Sequence, residues 1–148
     1  MLDSTEDRSK LTIKLKIADA MEGLPFLNTE GLNLVLKRGM TLDEEVVELD
    51  KRKEKLLEDT GEFEKTVEWL KQIKKIKSLN RSISSYGLKH IVEKDIGYIT
   101  NGTLIAAAVH SGFYHKSCQL GGLNAFFNMS NRSINEADRR RHKNSAKP

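Results

Sequence analysis

Proline is nearly absent from this chain, and this absence is the feature that most constrains its fold. Pro25 and Pro148 are the only prolines among 148 residues, so long stretches contain no residue that removes a backbone donor from a helix. Thr41 and Glu44 have the spacing of a capping box, in which each side chain bonds the backbone N–H of the other residue. We expect a helix that starts there and runs to Glu58.

Apolar residues at helical spacing continue beyond this helix and predict a second one over residues 62–79. Two long helices with a short link would form an antiparallel helical hairpin over residues 41–80. The alternative is one continuous helix through Gly61, because a single glycine costs only about 1 kcal/mol in a helix interior.

Residues 1–40 form an N-terminal segment with an ambiguous pattern. Residues 11–17 alternate apolar and polar side chains, which is typical of a strand, but Leu11 and Leu15 also lie one helical turn apart. We favour an N-terminal helical segment, since no partner strand is evident, and Gly23 would end the helix.

Residues 81–134 are predicted to be a compact helical domain. A helix ending near Lys94 and another over 103–111 give the outline of a helix-turn-helix. The second helix is apolar all round, whereas a recognition helix presents polar side chains to base edges. We therefore favour two core helices joined by a tight turn. After Gly112 the Gly-, Asn- and aromatic-rich chain is expected to form loops and short turns.

Two segments of this domain, Ser85–His90 and Tyr98–Gly112, are similar to parts of accessory proteins from phages and plasmids. The similarity identifies no family, so no function and no site residue is carried over from it.

The predicted fold class is all-α. A long helical hairpin is joined to a compact C-terminal helical domain with a helix-turn-helix-like pair. The chain then becomes polar and rich in Arg and Lys, so residues 135–148 are expected to form a disordered basic tail.

Charge is divided unequally along the chain. Residues 1–68 carry 11 Lys and Arg against 17 Asp and Glu, whereas residues 69–148 carry 14 against 4. No acidic residue lies between Glu68 and Glu93. Such an asymmetry indicates a polyanionic partner for the basic half, and we expect nucleic acid, either DNA or RNA.

Two clusters of cations supply the candidate phosphate contacts. Lys71, Lys74 and Lys75 would share one face of the second helix, and such a row can follow a phosphate backbone. A solvated face is the simpler interpretation of this row, but the basic tail favours nucleic acid. The predicted nucleic-acid-binding residues are Lys71, Lys74, Lys75, Lys77, Arg81, Lys89, Arg139, Arg140 and Arg141.

Four aromatic residues lie among Lys and Asn side chains: Phe113, Tyr114, Phe126 and Phe127. Such rings can stack on unpaired bases, at about 1–3 kcal/mol per base. The favoured interpretation is that they close the small core of the second half.

Residues suited to catalysis or metal binding are few. His110, His115 and Cys118 lie close in sequence but lack the paired spacing of zinc ligands, and nothing orients a base towards the thiol. Glu44 and Glu45 fall at a predicted exposed helix start, where they suit the helix dipole. We expect no enzyme, no cofactor and no metal.

The sequence therefore predicts a small nucleic-acid-binding accessory or regulatory protein that mainly contacts backbone phosphates. The alternative is a protein-binding module, such as a phage- or plasmid-encoded inhibitor of a host nucleic-acid-handling complex. Such a module would bind its partner, or a second copy, through residues 41–79. A lone cysteine and the absence of a signal peptide or a long apolar run predict a cytoplasmic protein without a membrane span.

Overall fold

A computed structural model describes the backbone of residues 5–146 and the side chains of residues 5–140. None of the described helices is both long and apolar enough to cross a lipid bilayer. In chain order the elements are α1 (Thr5–Glu22), α2 (Leu42–Glu58), α3 (Thr60–Leu70), β1 (Lys75–Asn80), α4 (Ser85–Ile96), α5 (Asn101–His110), β2 (His115–Ser117), β3 (Ala125–Met129) and α6 (Asn131–Ala146).

Three of these elements form an antiparallel sheet in the order β1-β3-β2, so the prediction of an all-α fold is wrong. The fold is mixed, and two strands come from the stretch after Gly112 that was expected to form only loops. Phe127 of β3 pairs with Asn80 of β1 and with His115 of β2. Phe127 is buried and Phe126 is partly exposed, which is the alternation of a strand with one face on the core.

β1 occupies residues that the sequence assigned to the end of the second helix. Ile73, Ile76 and Leu79 are three residues apart, which fits a helix, but α3 ends at Leu70. Ile76 is exposed, so it does not join Ile73 in the core as the helical spacing predicted. Backbone pairing with β3 outweighed the local helical pattern, because tertiary context commonly overrides propensity.

α2 and α3 differ from the predicted hairpin over residues 41–80. The single residue Asp59 separates them, and its carboxylate accepts hydrogen bonds from Lys55 Nζ and, at 3.5 Å, from Thr103 Oγ1. α2 packs on α1, whereas α3 packs mainly on α5 and also on α1. The break between the helices lies at the buried Asp59, which contacts the buried Thr103, and not at Gly61.

The start of α2 that the capping box predicts is confirmed, and α4 and α5 are capped as well. Glu44 N–H donates to Thr41 Oγ1 at 3.1 Å, and Thr41 N–H donates to the Glu44 carboxylate at 3.4 Å, which completes the capping box. The hydroxyls of Ser84 and Thr100 cap α4 and α5 at 3.2 and 3.1 Å. Gly97 follows α4 with φ +89°, a conformation that glycine adopts without strain.

α5 lies at the centre of the core, as its apolar sequence predicted. Residues 101–108 are all buried, and α1, α3 and α4 pack around them. Gly102 permits a close approach here, since a Cβ at this position would lie 1.9 Å from the Asn28 carbonyl oxygen. α1 is a helix and not a strand, and it buries Ile17 against this core.

A buried ion pair attaches the loop before α2 to that helix. The Glu45 carboxylate is completely buried and accepts hydrogen bonds from Val35 N–H and from Arg52 Nη2, the latter at 2.8 Å. Arg52 Nε also donates to Asn28 Oδ1 at 3.0 Å. The expectation that Glu45 is an exposed partner of the helix dipole is therefore wrong, because a loop without a sequence pattern folds over it.

The C-terminal residues form α6 where a disordered tail was expected. Ile134 and Ala137 lie one turn apart and are buried, and Lys94 Nζ on α4 reaches Asp138 at 3.3 Å. Two apolar residues among many charges are too short a pattern to predict this docking. The side chains of residues 141–146 and the whole of residues 147–148 lie outside the described part of the chain.

Candidate nucleic-acid interface

The three strands of the sheet all come from stretches of the sequence that contain no Asp or Glu. No Asp or Glu occurs in residues 69–92 or 96–135, and all three strands come from these two stretches. Cations that are exposed on or beside the sheet, and that form no ion pair with any described residue, are Lys74, Lys75, Lys77, Arg81 and Lys116. We call this group the basic sheet surface; its positive charge is not neutralised by the described chain.

Arg81, Lys116 and Phe126 meet on the outer face of the sheet. Lys116 pairs with Phe126 in the register of β2 and β3, and Arg81 Cζ lies 5.7 Å from the Phe126 ring centroid. Tyr114 is exposed beside them, and its N–H donates to Asn128 Oδ1 at 2.6 Å. Cations beside outward aromatic rings are the arrangement that many single-stranded nucleic-acid sites use.

The four aromatic residues singled out in the sequence divide into two pairs. Phe113 and Phe127 are buried in the core, so the favoured core interpretation is confirmed for them. Tyr114 is exposed and Phe126 is partly exposed, so these two rings remain accessible to a partner.

The predicted row of lysines on one helix face is wrong, because α3 ends before it. Lys71 lies in the turn after α3, and its ammonium reaches Glu68 at 2.7 Å. Lys74, Lys75 and Lys77 are exposed along the start of β1, which is an edge strand. The cations are therefore arranged along an extended strand, with one of the expected members already paired.

The C-terminal basic cluster lies beside these lysines. Lys74 N–H donates to Ser133 Oγ at 3.1 Å, at the start of α6. Two turns further along α6, Arg140 Nη2 donates to Gln72 Oε1 at 3.2 Å. Two clusters that are far apart in sequence are thereby joined in one region, which the charge pattern alone could not show.

The other predicted arginines belong to the same helix. Arg139 is exposed, so its guanidinium is accessible to an anion. The backbone of Arg141 continues α6, and its side chain lies outside the described residues. α6 therefore adds Arg139 and Arg140 to the region next to β1.

Lys89 lies apart from the basic sheet surface. It is 7% exposed, and its ammonium reaches the Glu93 carboxylate at 2.9 Å. The ring centroids of Tyr98 and Tyr86 lie 4.9 and 5.7 Å from the same ammonium. Because its charge is already engaged within the protein, Lys89 is suited to holding these groups in place and not to a phosphate contact.

The surroundings of Glu93 favour its charged form. Burial alone would raise the pKa of this carboxyl, but hydrogen bonds from Lys89 and from Ile99 N–H, with the charges of Lys89 and His90, outweigh burial and lower the pKa. Glu93 thus connects α4 to the chain leading into α5, at a distance of 3.2 Å from Ile99 N–H.

α4 and α5 have the order of a helix-turn-helix but not its exposure. A recognition helix inserts exposed side chains into the major groove, whereas residues 101–108 of α5 are buried. The interpretation of this pair as two core helices is confirmed.

A cleft of about 730 Å³ opens where α4 and α5 begin, and sequence reasoning missed it. Tyr86 and Tyr98 line it together with Lys89; we call it the tyrosine cleft. Its further polar lining residues are Thr29, Glu30, Lys55, Thr100, Asn101 and Asn124. These polar residues come from four separate parts of the chain. The one sequence pattern that could have indicated the cleft is the spacing of Tyr86 and Lys89, which lie one helical turn apart.

The cysteine and the histidines do not converge on a site: no three His, Cys, Asp or Glu side chains are grouped as metal ligands among the described residues. Burial raises the pKa of the Cys118 thiol, although the charge of Arg81 opposes this. Burial lowers the pKa of His115. A neutral thiol and a neutral imidazole are therefore favoured at pH 7.

Comparison of the chain with protein-family models, with curated proteins and with solved structures found no match in any of the three.

Proposed function

We propose that this protein binds nucleic acid, mainly through backbone phosphates, and acts as a small accessory or regulatory protein. The basic sheet surface would supply the contacts, with Arg139 and Arg140 beside it. The proposal includes a non-catalytic role and the cytoplasmic location expected from the lone cysteine.

One observation carries this proposal: five exposed cations surround a sheet whose sequence contains no acid, and none of them forms an ion pair with a described residue. Cations that serve only solubility are normally mixed with acids, as they are in α1 and α2. A surface of one sign raises the local concentration of a polyanion and gains free energy when counterions are released from it.

The competing explanation for part of this surface is protection of an edge strand. Lysines on an edge prevent edge-to-edge pairing with another chain, and Lys75 and Lys77 lie on the edge strand β1. Lys116 lies on β2, the other edge strand, so the same explanation applies to it. Arg81 is not explained in this way, because it lies outside the strands and its guanidinium is 5.7 Å from the Phe126 ring centroid. Arg81 therefore separates the two explanations.

The test is binding of the full chain to random duplex and single-stranded DNA and RNA across a salt series. Four to five phosphate contacts predict a slope of log K against log salt of about −3 to −5. Lys116→Ala together with Arg81→Ala should make the slope less negative by about 1.5, since each contact contributes about 0.7–0.9. Absence of binding at about 50 mM salt, where such contacts are strongest, would contradict the proposal.

A protein-binding module is the second candidate, favoured by apolar side chains exposed in the acidic half. Leu11 and Leu15 on α1 and Val46 and Val47 on α2 are all exposed. Capture from the native host after nuclease treatment should then recover one stoichiometric protein, and Val46→Asp with Val47→Asp should abolish its recovery. Recovery that is unaffected by these substitutions would contradict binding through this face of residues 41–79.

A further inference from the structure

We propose that the tyrosine cleft binds a nucleobase. The inference rests on the proposed function, because it assigns a base-binding site to a protein that otherwise contacts phosphates. The cleft volume of about 730 Å³ lies within the range of about 300–1,000 Å³ that is usual for small-molecule sites.

The two tyrosine rings form an accessible stacking surface. Tyr98 is 73% exposed and Tyr86 is 53% exposed, yet the buried Lys89 ammonium lies 4.9 and 5.7 Å from their ring centroids. Tyr86 also contacts His90 edge to face at 4.5 Å. Each ring therefore contacts the protein on one side while much of its surface stays open, and a flat ligand can stack on it.

The polar lining of the cleft consists largely of hydroxyl and amide groups. Asn101 Nδ2 donates to Asn124 Oδ1 at 3.0 Å and to the Glu30 carbonyl at 3.1 Å. Asn101 Oδ1 is buried and accepts no hydrogen bond from any described residue. Thr100, Asn101 and Asn124 all line the cleft, and hydroxyl and amide groups of this kind can pair with the donors and acceptors of a base edge.

The charge balance of the cleft favours a neutral ring over a phosphate. Lys89 is paired with Glu93 at 2.9 Å, and Lys55 is paired with Asp59. Glu30 adds a carboxylate to the lining and would repel an anion. Phosphates are better accommodated by Arg81, which forms no ion pair with a described residue.

The cleft adjoins the basic sheet surface. Asn124 in the cleft precedes Phe126 by two residues, which span about 7 Å in an extended strand. Phe126 is the ring beside the Arg81 guanidinium, and Ala125 N–H donates to Ser85 Oγ at 3.0 Å, next to Tyr86. A single-stranded nucleic acid whose phosphates contact Arg81 can therefore place a base in the cleft.

The first experiment titrates the ¹⁵N-labelled full chain with the monophosphates of adenosine, guanosine, cytidine and uridine, and with ribose 5-phosphate. At least one nucleotide should shift the Asn101 side-chain amide and the Tyr86 and Tyr98 signals, and ribose 5-phosphate should not. Equal shifts with ribose 5-phosphate, or none with any nucleotide, would overturn the proposal.

The second experiment measures binding of a single-stranded oligonucleotide and of an abasic strand of equal length. Tyr98→Ala should weaken binding of the base-containing strand at least about fivefold, the low end for one stacked base, and should leave the abasic strand unaffected. Tyr98→Phe retains the ring and should bind as the wild type does, and Phe26→Ala, an exposed aromatic outside the cleft lining, should also have no effect.

The outcomes separate this proposal from the proposed function. If both strands bind with the same affinity and the same salt slope, and Tyr98→Ala changes nothing, the cleft proposal fails and phosphate binding stands. If nucleotides shift the cleft signals but neither strand binds, phosphate binding fails and the cleft takes a free nucleotide.

Discussion

The acidic and the basic halves of this protein use their charged side chains differently. In the acidic half, cations lie among carboxylates: Lys14 on α1 pairs with Glu58 on α2 at 2.7 Å, and Arg52 pairs with Glu45 within α2 at 2.8 Å. The five cations of the basic sheet surface make no ion pair with a described residue. Paired charge stabilises the fold, whereas unpaired charge of one sign is what the proposed binding of nucleic acid requires, so the pairing is more informative than the net charge of +4.

The largest expected effect concerns the buried pair of the acidic half. Glu45→Ala leaves Arg52 without its buried partner and removes the acceptor of Val35 N–H, so it should lower the free energy of unfolding by about 3–5 kcal/mol. Denaturant unfolding followed by circular dichroism measures this loss.

The matched control is Glu54→Ala on the exposed side of the same helix. Surface substitutions of this kind change stability by about 0.5 kcal/mol or less. Equal effects of the two substitutions would show that the acidic half does not depend on its buried charge.

The next prediction removes equal charge from both halves. The triple variant Lys77→Ala, Arg81→Ala, Lys116→Ala should make the salt slope of nucleic-acid binding less negative by about 2–3. Its counterpart, Lys10→Ala with Lys14→Ala and Lys51→Ala, removes three cations that are paired with carboxylates and should leave the slope unchanged. Similar losses in both variants would show that net charge decides binding.

A smaller effect tests the buried pair of Lys89 with Glu93 in the basic half. The lowered pKa of Glu93 means that this carboxylate stabilises the fold above its unfolded pKa of about 4.3, and that the stabilisation is lost as pH falls through the folded pKa. Glu93→Gln should therefore reduce stability at pH 7 and have progressively less effect as the pH falls below the unfolded pKa. Unfolding curves at both pH values measure it, with the exposed Glu64→Gln as control; a loss that does not depend on pH would contradict it.

The sequence was sufficient to predict those parts of the fold that depend on neighbouring residues. The capping box of Thr41 and Glu44 predicted the start of α2, and the continuous apolar residues of α5 indicated its burial. The sequence did not predict the elements that depend on contacts between distant segments. β1 depends on pairing with β3, and α6 depends on docking of Ile134 and Ala137, neither of which leaves a periodic signal.

The candidate site shows the same limit. Charge counting found the cations but placed Lys71, Lys74 and Lys75 on a helix that ends earlier, and it included Lys89, which is buried against Glu93. The contact between Arg140 and Gln72 and the tyrosine cleft both arise from tertiary packing. The sequence therefore identified the kinds of residue in the candidate site, but it did not predict how they are arranged in the fold.

The smallest expected effect is on Cys118. Because burial raises the pKa of its thiol, alkylation at pH 7 should be slower in the folded protein than in the unfolded chain. The charge of Arg81 lowers this pKa, so Arg81→Ala should slow alkylation further. An unchanged rate would show that Arg81 is screened at this position.

Lysine acetylation footprinting with a random single-stranded oligonucleotide tests the contrast between the halves most directly. Mass spectrometry of the full chain, with and without the oligonucleotide, reports the protection of each lysine. Lys74, Lys75, Lys77 and Lys116 should become protected, and Lys10, Lys14 and Lys51 should not. Protection spread equally over both groups, or confined to the acidic half, would contradict the assignment of the basic sheet surface as the binding face.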